Sequence, residues 1–131
     1  MGRGGILNVS SLAGFQSGPM MATYSATKAF VTSFSESVHE EMKGTGVAVT
    51  VLCPGFTRTE FQERAHVEAE ALPGFMWQEP PEVVKCGLDG VAKNRAIAIP
   101  GAMNSFLGHA SDMSPRILSR WMSAQVMRRA R

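Results

Sequence analysis

Residues Asn8 to Lys28 read NVSSLAGFQSGPMMATYSATK. The run ILNVS over Ile6 to Ser10 has the composition of a short buried strand, bounded by glycines on both sides. After the loop containing Gly14 and Gly18-Pro19, residues Tyr24 to Lys43 form the best helix candidate. Phe30, Phe34, Val38 and Met42 recur at every fourth position and make one apolar stripe. Gly44 and Gly46 end the helix, with Lys43 in its last turn where the helix dipole favours a cation. His39 falls on the charged side of this helix beside Glu40 and Glu41 and is expected to face solvent.

The pattern continues outward from that unit. Val47 to Leu52 (VAVTVL) is a β-branched strand that stops at Pro54-Gly55. Residues Phe56 to Glu79 give mixed signals interrupted by Pro73-Gly74. Pro80-Pro81 introduces a helix from Glu82 to Lys93, Ala96 to Ile99 is a third strand closed by Pro100-Gly101, and Ser114 to Arg131 reads as a terminal helix with Pro115 in its first turn. The order β-α-β-insert-α-β-α, with each strand a continuous apolar run, predicts an α/β fold: a doubly wound parallel sheet of about three strands with right-handed crossovers, flanking helices and a C-terminal helix. Ligands in such sheets sit beyond the carboxyl ends of the strands, where Ser10-Ser11 and Pro54-Gly55 both fall.

Composition bounds the function. A chain of 131 residues with 44% hydrophobic content supports one modest core, and a net charge of +2 is too small to call for a nucleic-acid partner. No apolar run reaches the length of a membrane span, and the start lacks the apolar segment of a signal peptide. Cys53 and Cys86 form no CxxC pair, which fits reduced thiols in a cytoplasmic protein. His66-Val67-Glu68 lacks the PCxxC of a zinc deaminase, His109 has no partner at ligand spacing, and Gly14-Phe15-Gln16-Ser17-Gly18 misses the serine-hydrolase elbow by one position, so no metal site is expected.

The chemistry of the opening stretch lies in two side chains four residues apart. Tyr24 and Lys28 project from one face at the start of a helix. A free phenol has a pKa of about 10, and an adjacent ammonium favours the phenolate, which equips a tyrosine to exchange a proton with a substrate oxygen. Ser11 at the strand end is placed to hydrogen-bond the same oxygen. In isolation a YxxxK pair is more often a packed ring beside a solvated charge, and it is the linked set that carries weight.

Asn8-Val9-Ser10-Ser11 at a strand end, Tyr24-Ser25-Ala26-Thr27-Lys28 opening a helix and Pro54-Gly55-Phe56-Thr57-Arg58-Thr59 after the next strand together resemble the short-chain dehydrogenase/reductase family, in its classical form. The 13-residue separation of Ser11 and Tyr24 (24 − 11) matches the family spacing and selects Ser11 over Ser10. The resemblance implies an NAD(P)-dependent oxidoreductase that interconverts a carbonyl and a secondary alcohol, with Tyr24 as general acid/base and Ser11 orienting the substrate. It implies that Lys28 assists Tyr24 and binds the nicotinamide ribose, that Pro54 and Gly55 shape the nicotinamide side, and that Thr57 and Thr59 contact carboxamide or phosphate.

The glycine-rich TGxxxGxG turn, the ribose selector, the NNAG segment and the catalytic asparagine of that family are not among these residues, so the chain resembles the carboxyl-terminal half. The resemblance then implies a segmentation into a Ser-Tyr-Lys catalytic segment (1–56), a substrate-loop region (57–80) and the C-terminal helices with the last strand (81–131). Weak dinucleotide binding and no activity are expected of the chain alone, since no helix N-terminus is left to receive the pyrophosphate. Either NAD or NADP remains open as the cofactor. In the family, the Phe30/Phe34 helix packs on a preceding helix, often across a dimer interface, which implies a homo-oligomer for the full-length form. Phe61, Leu72, Phe75, Met76 and Trp77 lean towards a hydrophobic substrate.

Two readings stay open beside the enzyme. The chain is a non-catalytic fragment or interaction module, or its tail contacts membranes: Arg116, Arg120, Arg128, Arg129 and Arg131 accompany an apolar set with no acid after Asp112. The plain alternative for that tail is a terminal helix packed on its own sheet with arginines in water.

Overall fold

The computed structural model describes residues 2–15, 20–57, 74, 77–113 and 115–129. Strand β1 (Gly4–Val9) leads through a 3-10 turn (Leu12–Phe15) into helix α1 (Ala22–Glu41), then strand β2 (Val47–Leu52). Two-residue strands β3 (Phe56–Thr57) and β4 (Trp77–Gln78) pair with each other. Helix α2 (Pro80–Ala92), strand β5 (Ile97–Ala98), helix α3 (Ala102–Met113) and helix α4 (Arg116–Arg129) complete the order.

The main sheet is parallel, ordered β1-β2-β5. Its register runs from Gly4 opposite Val47 to Val9 opposite Leu52, and Val51 and Leu52 oppose Ile97 and Ala98. The α/β fold with a three-strand parallel sheet is therefore the one expected. β1 starts two residues earlier than ILNVS because its pairing follows β2, whose run begins at Val47. α2 begins at Pro80, whose missing N–H costs nothing in a first turn. Pro115 precedes α4 and lies outside it.

Alternation along β2 separates the two faces. Thr32 on α1 lies within hydrogen-bonding distance of the Cys53 sulfur, and Asn8 on β1 donates to Ser35 on α1 at 2.9 Å. Leu52, Val83, Ala98, Leu7 and Cys86 cluster on the other face, under α2. The helices thus cover opposite faces, and Val49, Thr50, Val51 and Leu52 in the central strand are all buried.

The apolar stripe of α1 faces away from the sheet. Its buried residues are Ser25, Thr32, Ser35 and His39, whereas Phe30 and Phe34 are 68% and 54% exposed and stack on each other at 5.9 Å. His39 does not face solvent: it is buried, and its Nδ1–H donates to the Val49 carbonyl at 2.8 Å. Small and polar side chains let the helix sit close to the sheet, where the Thr32 and Ser35 hydroxyls find partners, so the helical period is as read and its inner face is the polar one. Among the described residues no helix is long and apolar enough to cross a membrane, and both cysteines are free thiols.

Candidate active site

The carboxyl ends of β1 and β2 are tied together. Ser10 N–H donates to the Leu52 carbonyl at 2.7 Å and Leu12 N–H donates to the Pro54 carbonyl at 3.0 Å, so the two post-strand loops leave the sheet side by side. Alternation then gives the neighbouring serines different environments. Ser10 is 3% exposed; its hydroxyl donates to the Lys28 carbonyl at 2.9 Å and shares a 2.6 Å hydrogen bond with the Thr32 hydroxyl. Ser11 is half-buried, accepts the Ala13 N–H on its hydroxyl at 3.2 Å, and opens the 3-10 turn through Gly14 N–H to its own carbonyl at 3.0 Å.

Gly14 brings that turn onto α1. A Cβ there would stand 2.9 Å from the Lys28 carbonyl carbon and 3.0 Å from its oxygen, inside the closest approach of real atoms, so only glycine allows this contact. Lys28 extends back from α1 to the strand end: its Nζ donates to the Val9 carbonyl at 3.3 Å and lies 5.6 Å from the centroid of the half-buried Tyr24 ring. A cation so placed attracts the negative face of the ring and sits beside the phenol that shares its helix face.

The second loop is built on Gly55. A Cβ at Gly55 would fall 2.7 Å from the Asn104 Nδ2, and Asn104, itself buried, donates to the Gln78 Oε1 at 3.1 Å. The chain after β2 is in this way fixed to α3 and to β4. Thr57 donates its hydroxyl to the Gly55 carbonyl at 3.4 Å, and its remaining geometry follows β3. Thr59 lies outside the described residues, as do most of residues 57–76 of the expected substrate loop.

Behind the site, the Ser10 and Thr32 hydroxyls continue to Cys53. Burial pushes the Cys53 thiol up to about 11, against a smaller opposing pull from the Thr32 hydrogen bond. This thiol stays protonated at neutral pH and is no nucleophile. The structure thus brings Tyr24, Lys28 and the β1 exit together and sets Pro54 and Gly55 alongside. Ser10, Thr32, Gly14 and Asn104 support them, and sequence reasoning assigned none of these a role. Gly14 carried a signal in its place between strand end and helix start; Asn104 carried none.

Comparison with known proteins points the same way. Residues 1–70 match the model of the short chain dehydrogenase family. The chain belongs to this family. An uncharacterized oxidoreductase of Myxococcus xanthus is 50% identical over 58 residues, covering 44% of this chain and 23% of that protein. The 3-oxoacyl-[acyl-carrier-protein] reductase of Synechocystis is 37% identical over 82 residues, 61% of this chain and 33% of that one. Among solved structures, one described for 7beta-hydroxysteroid dehydrogenase stereoselectivity superposes with a TM-score of 0.78 at 28% identity, covering 94% of this chain and 48% of the other. A short-chain dehydrogenase from Sphingobium yanoikuyae, in complex with NADPH, gives 0.67 at 30% identity over 97% of this chain and 44% of its own. This short-chain dehydrogenase chain therefore spans a quarter to a third of the two curated relatives and just under half of the two solved ones.

Proposed function

We propose that this chain carries the proton-transfer machinery of an NAD(P)-dependent oxidoreductase that interconverts a ketone and a secondary alcohol. The observation that carries it is the Lys28 ammonium lying between the Tyr24 ring and the β1 exit, one residue before the Ser10-Ser11 pair. A hydroxyl, a phenol and an ammonium at parallel strand ends form a donor set suited to an uncharged carbonyl and a sugar diol. The NADPH complex of the Sphingobium relative supports a nicotinamide dinucleotide here, with NAD and NADP both compatible with the residues in hand.

When bound, that cofactor supplies or accepts the hydride. The protein's own part is the proton. In reduction, Ser11 Oγ–H donates to the substrate carbonyl oxygen and holds it near Tyr24, whose phenol delivers the proton as negative charge gathers on that oxygen. In oxidation the phenolate takes the proton from the alcohol. Lys28 assists by its charge and by holding ribose hydroxyls, while Pro54, Gly55, Thr57 and Thr59 border the nicotinamide. The supporting tie from Ser10 to the Lys28 carbonyl keeps the first turns of α1 in register with the strand end. The apolar residues Phe61, Leu72, Phe75 and Met76 in the sequence after Thr59 favour a hydrophobic ketone.

Reduced nicotinamide mononucleotide tests this part of the site without calling on the adenosine end. It has no pyrophosphate to place, and excess reagent offsets the weak binding; with an activated diketone also in excess, Tyr24→Phe is expected to cut the rate of nicotinamide oxidation above background by about 100-fold or more, and Ser11→Ala to lower it less. A rate unchanged in Tyr24→Phe would falsify the assignment.

A further inference from the structure

Helix α4 presents its apolar side to water. Ile117 is 73% exposed and Trp121 61%, with Leu118 and Met122 also exposed, while among the described side chains of α4 the buried one is Ser123 at 5%, on the opposite side. Residues 117, 118, 121 and 122 are spaced as neighbours on one helical face. Arg128 and Arg129 stand seven residues beyond Trp121 and Met122, two turns further along that face and at its C-terminal end. Arg129 lines a shallow groove together with Trp121, Met122 and Gln125.

The charge here has one sign. No acid follows Asp112, whereas arginines occupy positions 116, 120, 128, 129 and 131. α3 adds exposed apolar groups but not basic charge, its one charged side chain being Asp112: Phe106 is 70% and Met113 87% exposed, so seven of the 14 large exposed apolar side chains among the described residues lie between Phe106 and Met122. α2 shows the reverse arrangement, with Val83 buried and Lys85 exposed, whereas α4 shares with α1 an inward serine and an outward set of large apolar groups.

We propose that the outer face of α4 is a docking surface for an anionic lipid bilayer, lying in the headgroup region with Ile117, Trp121 and Met122 in the acyl boundary. Arginine side chains flanking that face bury their methylene stems against it and carry their guanidinium groups to lipid phosphates, to which they bond in a fork. Tryptophan favours this boundary because its ring is apolar and its N–H is polar. Charge complementarity selects a lipid surface over a second copy of the chain, since two copies meeting at this face would oppose arginine to arginine with no acid to pair them. A 14-residue helix is about 21 Å long, enough to lie on a bilayer and too short to span one.

Vesicle co-sedimentation of the full chain tests the docking independently of any activity. Phosphatidylcholine vesicles doped with phosphatidylserine are expected to bind it and phosphatidylcholine alone to bind it weakly, with binding falling as salt rises. Replacing Arg128 and Arg129 together by glutamine should weaken binding about 30-fold. Trp121→Ser should also weaken it, with circular dichroism showing the fold unchanged. In a Trp77→Phe background, where Trp121 is the sole tryptophan, its emission should shift to the blue and be quenched by lipids brominated in the acyl chains. Failure to bind, equal binding to uncharged vesicles, or bound protein whose Trp121 escapes brominated lipid would each overturn the proposal. Concentration-dependent shielding of Trp121 from acrylamide in lipid-free solution would overturn it too, in favour of a second copy.

Discussion

At the scale of single residues, the site depends on atoms that differ little in sequence and much in surroundings. Ser10 and Ser11 are adjacent and identical, yet Ser10 is sealed against Lys28 and Thr32 while Ser11 stands at the loop mouth. The 13-residue spacing to Tyr24 singled out Ser11 from sequence, and in the structure Ser10 is the buried member of the pair and Ser11 the half-buried one. The structural task of Ser10 was not legible, because a carbonyl partner 18 residues away and a hydroxyl partner 22 residues away leave no periodic trace. Gly14→Ala drives a methyl into the Lys28 backbone and is expected to cost about 1–3 kcal/mol in urea unfolding. Cys53 gives a pH signature. Folding raises its thiol from 9.0 to about 11, so the unfolded chain releases this proton first. The Cys53 contribution is fully present below pH 9 and is lost as pH rises towards 11, by on the order of 2 kcal/mol. Urea midpoints at pH 8 and pH 10 should show this fall, and Cys53→Ala should flatten it.

At the scale of elements, α1 shows what apolar periodicity conveys and what it leaves open. Phe30, Phe34, Val38 and Met42 identified the helix, but the face on the sheet is Ser25, Thr32, Ser35 and His39. A stripe of aromatic residues marks a face that needs a partner without saying which partner, and here the sheet takes the small hydroxyls. Removing the Thr32 hydroxyl as Thr32→Val should therefore cost about 1 kcal/mol, while Thr32→Ser should recover most of it, by thermal or urea unfolding. α3 escaped the sequence reading for the same reason. Among its described side chains the buried positions are Asn104 and Gly108, neither of them a large apolar residue. The three strands of the sheet were legible because β-branched runs between glycines and prolines have few other uses, and only their ends moved.

At the scale of the whole molecule, the buried apolar set among the described residues is small: Val49, Val51, Leu52, Cys53, Val83 and Ala98. Around it, among the described residues β1 pairs on one side alone, with Ile6 and Val9 at 50% and 55% exposure. An apolar strand edge of this kind recruits other chains, so Ile6→Lys is expected to slow aggregation measured by light scattering while leaving the circular dichroism spectrum unchanged. The sheet order, the ties between the β1 and β2 exits and the contact of the glycine turn with α1 all converge on one place, which holds Tyr24 and Lys28. The central claim is that this place receives a nicotinamide ribose. Saturation-transfer NMR with reduced nicotinamide mononucleotide measures it directly. Saturation is expected to be strongest on the ribose protons and to disappear in a folded Lys28→Met variant; equal saturation in the variant, or none in the parent chain, would contradict the account.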